Sequence, residues 1–257
     1  MGMANELRST VKTTETSIEI VHAIQELDGA TIEEISAFLG LSQSTVHRHL
    51  VTLRTHNYVV ADREKYQVGL GFLTMGGYAQ RQVTAYPKIK EKVDKLAAET
   101  GERAQFIVEE HGERVYLYTE VGQSAVQTGA HVGKRGEIHT SAAGKAILAN
   151  LPDERVTAIV AEHGLPEGTH NSISTRDELF EELERIRRRG YAFNRQETTG
   201  GVNAVGSAVL DSEEAVIGAL SVSGPANRIK GEWLTEELPE QVLGAVNELE
   251  LDIKHSV

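Results

Sequence analysis

The feature that most constrains this chain is a pair of short amphipathic segments joined only by Leu39-Gly40-Leu41-Ser42. Thr31 followed by Glu34 has capping-box spacing, Ile32, Ile35 and Leu39 fall on one helical face, and Gly40 supplies a stop. Ser42 is placed to cap the next segment, where Val46, Leu50 and Leu53 recur at helical spacing as a narrow apolar stripe. The pattern predicts a helix-turn-helix. Ahead of it, from Thr14, the residues Ile18, Val21, Ile24 and Leu27 predict a first helix that stops at Asp28-Gly29. Behind it, Tyr58-Val59-Val60 and Tyr66-Gln67-Val68 flank the charged turn Asp62-Arg63-Glu64-Lys65, which predicts a β-hairpin in the position of a wing.

A net charge of −12 stands at first sight against a nucleic-acid partner. Its distribution matters more than the total. The chain has 38 acidic residues among 257, yet none lies from Ile35 to Ala61, a stretch of 27 residues whose proportionate share would be about four. That window holds Arg48, Arg54, His47, His49 and His56. A surface cleared of its own carboxylates can face a polyanion on an acidic protein. The acidity elsewhere fits ordinary solubility or a high-salt habitat, and composition does not choose between them.

With Val46 at the centre of the buried stripe, Ser44, Arg48 and Thr55 point outward from the second helix of the motif, flanked by Thr45, His47, Val51 and Thr52. Arg48 suits guanine or phosphate, the hydroxyls suit either, and Val51 suits a thymine methyl. The N–H groups of the first turn, from Gln43 to Thr45, are open to a phosphate. The expected DNA contacts are Gln43, Ser44, Thr45, His47, Arg48, Thr52 and Arg54, with Arg63 and Lys65 from the hairpin.

From Gly69 to Gln82 the apolar residues Leu70, Phe72, Leu73, Met75 and Tyr78 cover more than one face of a helix, as a linker that also packs on a second subunit would. Pro87 opens another helix that runs to Glu99. Strands are then expected at Ala104–Glu109 and Val115–Val121 about a turn at His111-Gly112, and a further β-rich run from Ala125 to Val132. Helices are expected at Ser141–Asn150, Asp153–His163 and Arg176–Arg189, followed by strands at Tyr191–Glu197, Asn203–Leu210 and Ala215–Ser223 and a closing helix from about Thr235 to Ile253. Hairpin connections between helical runs predict an α+β fold with an antiparallel sheet.

The segment LSQSTVHRHLVTLRTHNYVV resembles the recognition segment of the isocitrate lyase regulator (IclR) family of transcription regulators. The resemblance continues at His139-Thr140-Ser141-Ala142-Ala143-Gly144-Lys145-Ala146-Ile147-Leu148-Ala149 and at Gly190-Tyr191-Ala192-Phe193-Asn194-Arg195-Gln196-Glu197, then Ala204-Val205-Gly206 and Val209-Leu210-Asp211. It implies a winged helix-turn-helix DNA-binding domain over 14–68, a linker helix over 69–84 and a GAF/PAS-like effector-binding domain over 85–257. It also implies a repressor or activator of a catabolic operon, with a double-stranded DNA operator and a small-molecule effector as partners. The expected assembly is a homodimer or a dimer of dimers, because one recognition helix reads few base pairs.

For the effector, Ala142 and Ala143 open a helix with side chains small enough for a ligand to reach backbone N–H groups, a setting for a carboxylate or phosphate, though close helix–sheet packing explains the same residues. The resemblance adds Asn194, Val202, Ala204, Ser221 and Ser223. Asn194 stands where the family pattern prefers Asp or Ser, Ala204 is the least polar of the permitted residues, and Leu210 replaces a usual aromatic. These departures make the pocket less negative and more apolar and point to a small neutral or anionic metabolite, such as an organic or sugar acid. Glu197 matches the pattern, and whether it touches ligand, holds Arg195 or caps a turn is open.

The absence of cysteine excludes disulfides, thiolate nucleophiles and Cys-ligated zinc. Gly69-Leu70-Gly71 lacks the third glycine of a dinucleotide fingerprint, since Thr74 occupies it, and around Gly144-Lys145 a phosphate loop would need glycine at His139 and a hydroxyl at Ala146. No nucleophile elbow is present. The expectation is therefore a protein that is not an enzyme and has no cofactor. Neither an apolar run of about 18 residues nor a signal-peptide layout occurs, so the expected location is the cytoplasm, away from the membrane. The alternative is a metal-responsive regulator using histidines such as His111, His131, His139, His163 and His170, none of which has tight helical pairing.

Overall fold

The computed structural model describes residues 10–125 and 129–255. The first helix, expected from Thr14, already includes Lys12 and Thr13. The chain forms two compact units, Met1–Ala79 and Gln80–Val257.

The N-terminal unit holds α1 (Lys12–Glu26), α2 (Ile32–Leu39), α3 (Gln43–Thr55), and a hairpin of β1 (Val59–Asp62) and β2 (Lys65–Val68). The capping box forms as its spacing requires: Thr31 Oγ1 accepts from the Glu34 N–H while Glu34 accepts from the Thr31 N–H at 2.8 Å. Gly40 then ends α2 in the left-handed conformation, and Ser42 caps α3. Ile20, Ala23, Ile24, Ala30, Ile35, Val46, Leu50 and Val59 make the core. The first helix is rotated from its expected face. Ile24 is buried as expected, but Ile20 and Ala23 complete the face while Ile18 is exposed, because α1 begins earlier and packs against α2 and α3 through the row centred on Ile20 and Ile24. Ile18 and Val21 instead line a surface groove with Leu53, Val68 and Phe72.

Helix α4 (Gly71–Gln82) buries none of its residues. Leu70, Leu73, Met75 and Tyr78 are exposed, and Phe72 leans on Tyr58 with ring centroids 4.8 Å apart.

The C-terminal unit is one six-stranded antiparallel sheet in the order β5-β4-β3-β8-β7-β6. Its strands are β3 (Arg103–Glu110), β4 (Glu113–Val121), β5 (Arg135–Glu137), β6 (Ala192–Arg195), β7 (Val202–Leu210) and β8 (Val216–Pro225). The strand run expected over Ala125–Val132 falls partly outside the described residues, and 129–132 form no strand; the sheet edge is β5 instead. The β3–β4 turn places both His111 and Gly112 at positive φ, the twist a two-residue hairpin needs.

Helices α5 (Tyr86–Thr100) and α9 (Leu238–Lys254) cover one face of the sheet, with Phe106, Val205, Leu220 and Val222 beneath them. On the other face α6 (Ala142–Ala149) lies on β7 and β8, backed by α8 (Arg176–Arg189), and α7 (Asp153–His163) completes that core. Strand alternation divides the sequence between the two: Phe106, Leu220 and Val205 go to the α5 side, and Ile107, Ala219 and Ala208 go to the α6 side.

Candidate functional site

The face of α3 opposite Val46 and Leu50 carries Ser44 and Arg48 with His47, Thr45 and Thr52 at its flanks, while Gln43 and Arg54 lie nearer the buried stripe at the two ends of the helix. Gln43, Ser44, His47, Arg48, Thr52 and Arg54 are exposed, and Thr45 is half-buried. Part of this polarity is used locally: Thr52 Oγ1 donates to the Arg48 carbonyl at 3.1 Å, and Thr45 Oγ1 lies 2.9 Å from Ser42 Oγ. Arg48 and Arg54 form no ion pair among the described residues, which leaves both guanidinium groups turned to solvent. Arg63 sits at the hairpin turn with φ of 56°, and Lys65 reaches back to the Gly29 carbonyl at 3.3 Å. The structure therefore gives a carboxylate-free helical face and, separately, a short hairpin on the same unit in which Arg63 and Lys65 alternate with Asp62 and Glu64.

In the C-terminal unit a cavity of about 80 Å³ opens between the sheet and the start of α6. All seven residues expected at the effector site line it: Ala142, Ala143, Asn194, Val202, Ala204, Ser221 and Ser223. Register brings them together. Asn194 pairs with Ala204, Ala204 with Ser223, and Ser221 with Gln105, so their side chains fall in adjacent rows on the α6 side. Gln105 Nε2 donates to Ser221 Oγ at 2.8 Å and to Ser223 Oγ at 3.2 Å, which fixes a polar floor.

The wall is the N-terminus of α6. Ser141 Oγ accepts from the Gly144 N–H at 3.0 Å, and the first N–H groups of the helix have no acceptor within it. The sheet can approach because position 206 is glycine: a Cβ there would stand 2.7 Å from the Ala143 nitrogen. Ala142 and Ala143 meet β7 on one side, as close packing requires, and line the cavity on the other.

Asn194 is less available than its position implies. Its Oδ1 accepts from the Glu197 N–H at 2.8 Å and its Nδ2 donates to Thr198 Oγ1 at 3.0 Å, so it braces the turn that forms the cavity rim. Glu197 does not line the cavity. It is buried in an ion pair with Lys145 and accepts from the Arg195 N–H at 3.1 Å. Burial pushes the Lys145 ammonium down from its ordinary range, against the pull of Glu197.

Residues that sequence reasoning missed set the electrostatics. Arg114, Tyr116, Lys134, Thr198 and Thr199 also line the cavity, and no Asp or Glu does. Arg114 is 7% exposed. Its Nη1 donates to Tyr116 Oη at 3.2 Å, its guanidinium carbon lies 5.6 Å from the Tyr116 ring centroid, and its Nε has no partner among the described residues. Gly136 makes room for it, since a Cβ there would fall 2.8 Å from Arg114 Nη2. A buried cation without a carboxylate is costly unless something anionic completes it.

Among the described residues no group of three or more His, Cys, Asp or Glu side chains could hold a metal. The metal-responsive alternative therefore finds no ligand set there. Among the same residues no helix is long and apolar enough to cross a membrane.

Comparison with known proteins agrees with both units. Residues 15–63 match the IclR helix-turn-helix domain, and residues 81–251 match the bacterial transcriptional regulator IclR C-terminal domain. The chain is 34% identical over 242 residues to the Probable HTH-type transcriptional regulator ArcR of Halobacterium salinarum, covering 93% of this chain and 92% of that one. It is 30% identical over 200 residues to the HTH-type transcriptional regulator XynR of Escherichia coli, covering 77% and 79%. The crystal structure of the Thermotoga maritima IclR superposes with a TM-score of 0.81 at 23% identity, over 94% of this chain and 98% of that one. An IclR homolog of Microbacterium hydrocarbonoxydans, solved in complex with 4-hydroxybenzoate, superposes with a TM-score of 0.76 at 22% identity, over 93% and 100%. With both domains matched in order and two thirds of the chain within the C-terminal match, this protein belongs to the IclR family of bacterial transcriptional regulators.

Proposed function

We propose that this regulator binds operator DNA through the outward face of α3 and the hairpin, and that a small carboxylic acid in the α6 cavity controls that binding. The observation that carries the effector reading is Arg114: a buried guanidinium, with an unpartnered Nε, in a cavity without acidic lining at the N-terminus of a helix. A carboxylate on Arg114 and the Ala142 and Ala143 N–H groups would be held by charge-assisted hydrogen bonds and the helix dipole together. The Gln105–Ser221–Ser223 floor suits hydroxyl or keto oxygens at the other end of the molecule. A volume of about 80 Å³ restricts the occupant to a small molecule and excludes a nucleotide. That the Microbacterium relative was solved in complex with 4-hydroxybenzoate, itself a small carboxylic acid, supports an acid as the ligand class.

The protein works as a homodimer or dimer of dimers in the cytoplasm and catalyses no reaction. Support for assembly comes from α4, where Leu70, Leu73, Met75 and Tyr78 expose apolar surface with nothing of their own unit over it.

The test is calorimetric titration of the full chain with a panel of small carboxylates, each paired with its neutral amide. At least one acid should saturate at one per chain while its amide does not, and Arg114→Met should abolish the heat. Equal binding of acid and amide would overturn the anion reading. Gel-shift titration across salt tests the DNA half, with a steep decline of affinity as salt rises expected.

A further inference from the structure

A second depression, of about 710 Å³, lies beyond the turn that follows β6, at the sheet edge where β6 has no further neighbour among the described residues. Four cationic side chains converge on it, Lys145, Arg185, Arg189 and Arg195, with two carboxylates, Glu182 and Glu197. Four minus two gives the lining a charge of +2 in a chain whose total is −12. The carboxylates are already engaged. Glu182 binds Arg185 at 2.8 Å and Arg189 at 2.7 Å, and Glu197 holds the buried Lys145.

Arg195 meets no carboxylate among the described residues. Its guanidinium carbon lies 4.6 Å from the Phe193 ring centroid, and that of Arg189 lies 4.8 Å from the same centroid. Glu182 already neutralises Arg189, so of the two guanidinium groups on this ring it is Arg195 that is left open to an anion. Helix α8 carries five acidic residues, of which Glu182 lines this cleft and Glu181 approaches Arg185 at 3.8 Å without lining it. Alternation along β6 keeps the cleft distinct from the effector cavity: Phe193 and Arg195 line the cleft, whereas Asn194 lines the cavity.

We propose that this cleft is a second anion site, built for a phosphorylated small metabolite. Guanidinium forks match phosphate oxygens, and Arg195 with Arg185 and Arg189 supplies more charge than one carboxylate would need. Phe193 and Ile173 offer apolar contact to the organic part, and the amides of Asn171 and Gln196 also line the cleft, the Gln196 oxygen already accepting from the Gly201 N–H at 3.0 Å. The Arg195–Glu197 segment is continuous with the Asn194–Thr198 brace at the rim of the effector cavity, so a phosphate that draws Arg195 acts on a turn both sites share.

The test is calorimetric titration of the full chain with inorganic pyrophosphate at constant ionic strength. Saturation at one per chain is expected. Arg195→Gln and Arg185→Gln, both at exposed positions, should each weaken it about tenfold without moving the melting temperature, whereas Arg114→Met and Arg48→Ala leave it unchanged. Wild-type affinity in Arg195→Gln and Arg185→Gln overturns the assignment, as does heat that never saturates. Loss of pyrophosphate binding in Arg114→Met or Arg48→Ala would place the anion in the α6 cavity or on α3 and overturn it equally. Because the α6 cavity is tested with carboxylates and Arg114→Met, the two sites fail independently.

Discussion

Lys145 and Glu197 meet as an ion pair in the interior of the C-terminal unit, their side chains only 3% and 8% exposed. Lys145 belongs to α6 and Glu197 to the turn after β6, so the pair ties the wall of the α6 cavity to its rim. Removing one partner strands the other charge away from water. Glu197→Gln is expected to cost about 3–5 kcal/mol, and the double change Lys145→Met with Glu197→Leu to recover most of it. Urea unfolding of the single and double variants measures both, and a single variant as stable as the wild type would refute the tie.

Gly206 and Ala143 make the second prediction. A Cβ at position 206 would meet the Ala143 nitrogen at 2.7 Å and the Ala142 carbonyl carbon at 3.0 Å, both backbone atoms of a helix that cannot fold aside. Gly206→Ala should therefore displace the start of α6, lowering stability by about 1–3 kcal/mol and weakening carboxylate binding. Thermal denaturation and calorimetry on the same variant check the two effects. Stability lost with carboxylate affinity intact would show that the α6 N-terminus does not hold the ligand.

The reach of the sequence follows physical lines. Elements fixed by local rules were legible: the capping box at Thr31, the stop at Gly40, the hairpin turn at His111-Gly112 and the helix between Arg176 and Arg189 all form. Ile18 shows the limit of periodicity, because an apolar residue just off the buried row fits the helical period as well as one on it. The seven cavity residues came from local chemistry and family resemblance. Arg114 and Lys134 did not, because they reach the cavity only through the pairing of β4 with β3 and β5, which no local pattern specifies. Gln105 carried a usable signal, a polar side chain within the otherwise apolar run Ala104–Val108.

His139 gives a pH prediction. It is buried, its Nε2 lies 3.2 Å from the Pro166 carbonyl, and burial pushes its pKa below the usual 6.5. The unfolded chain therefore binds a proton more readily than the folded one. His139 contributes stability that is fully present above its unfolded pKa and is lost as pH falls through that value toward the lower, folded one. Melting temperatures of the wild type and His139→Gln should converge as the medium is acidified from neutrality. Curves that stay parallel would show that His139 does not titrate on unfolding.

The last prediction separates reading from anchoring on α3. Arg48 lies on the exposed face, nearer the start of the helix, and Arg54 lies in its final turn. In helix-turn-helix proteins the N-terminal part of the recognition helix reaches base edges, so Arg48 is assigned to a base and Arg54 to a phosphate. Arg48→Ala should cost about 1–3 kcal/mol against the cognate duplex and erase part of the preference over a scrambled one. Arg54→Ala should weaken binding to both duplexes alike and reduce the salt slope by about one. Titrations of both variants on both duplexes at several salt concentrations decide the matter. An unchanged cognate preference in Arg48→Ala would move base recognition elsewhere on the helix, with Ser44 and His47 the next exposed groups in line.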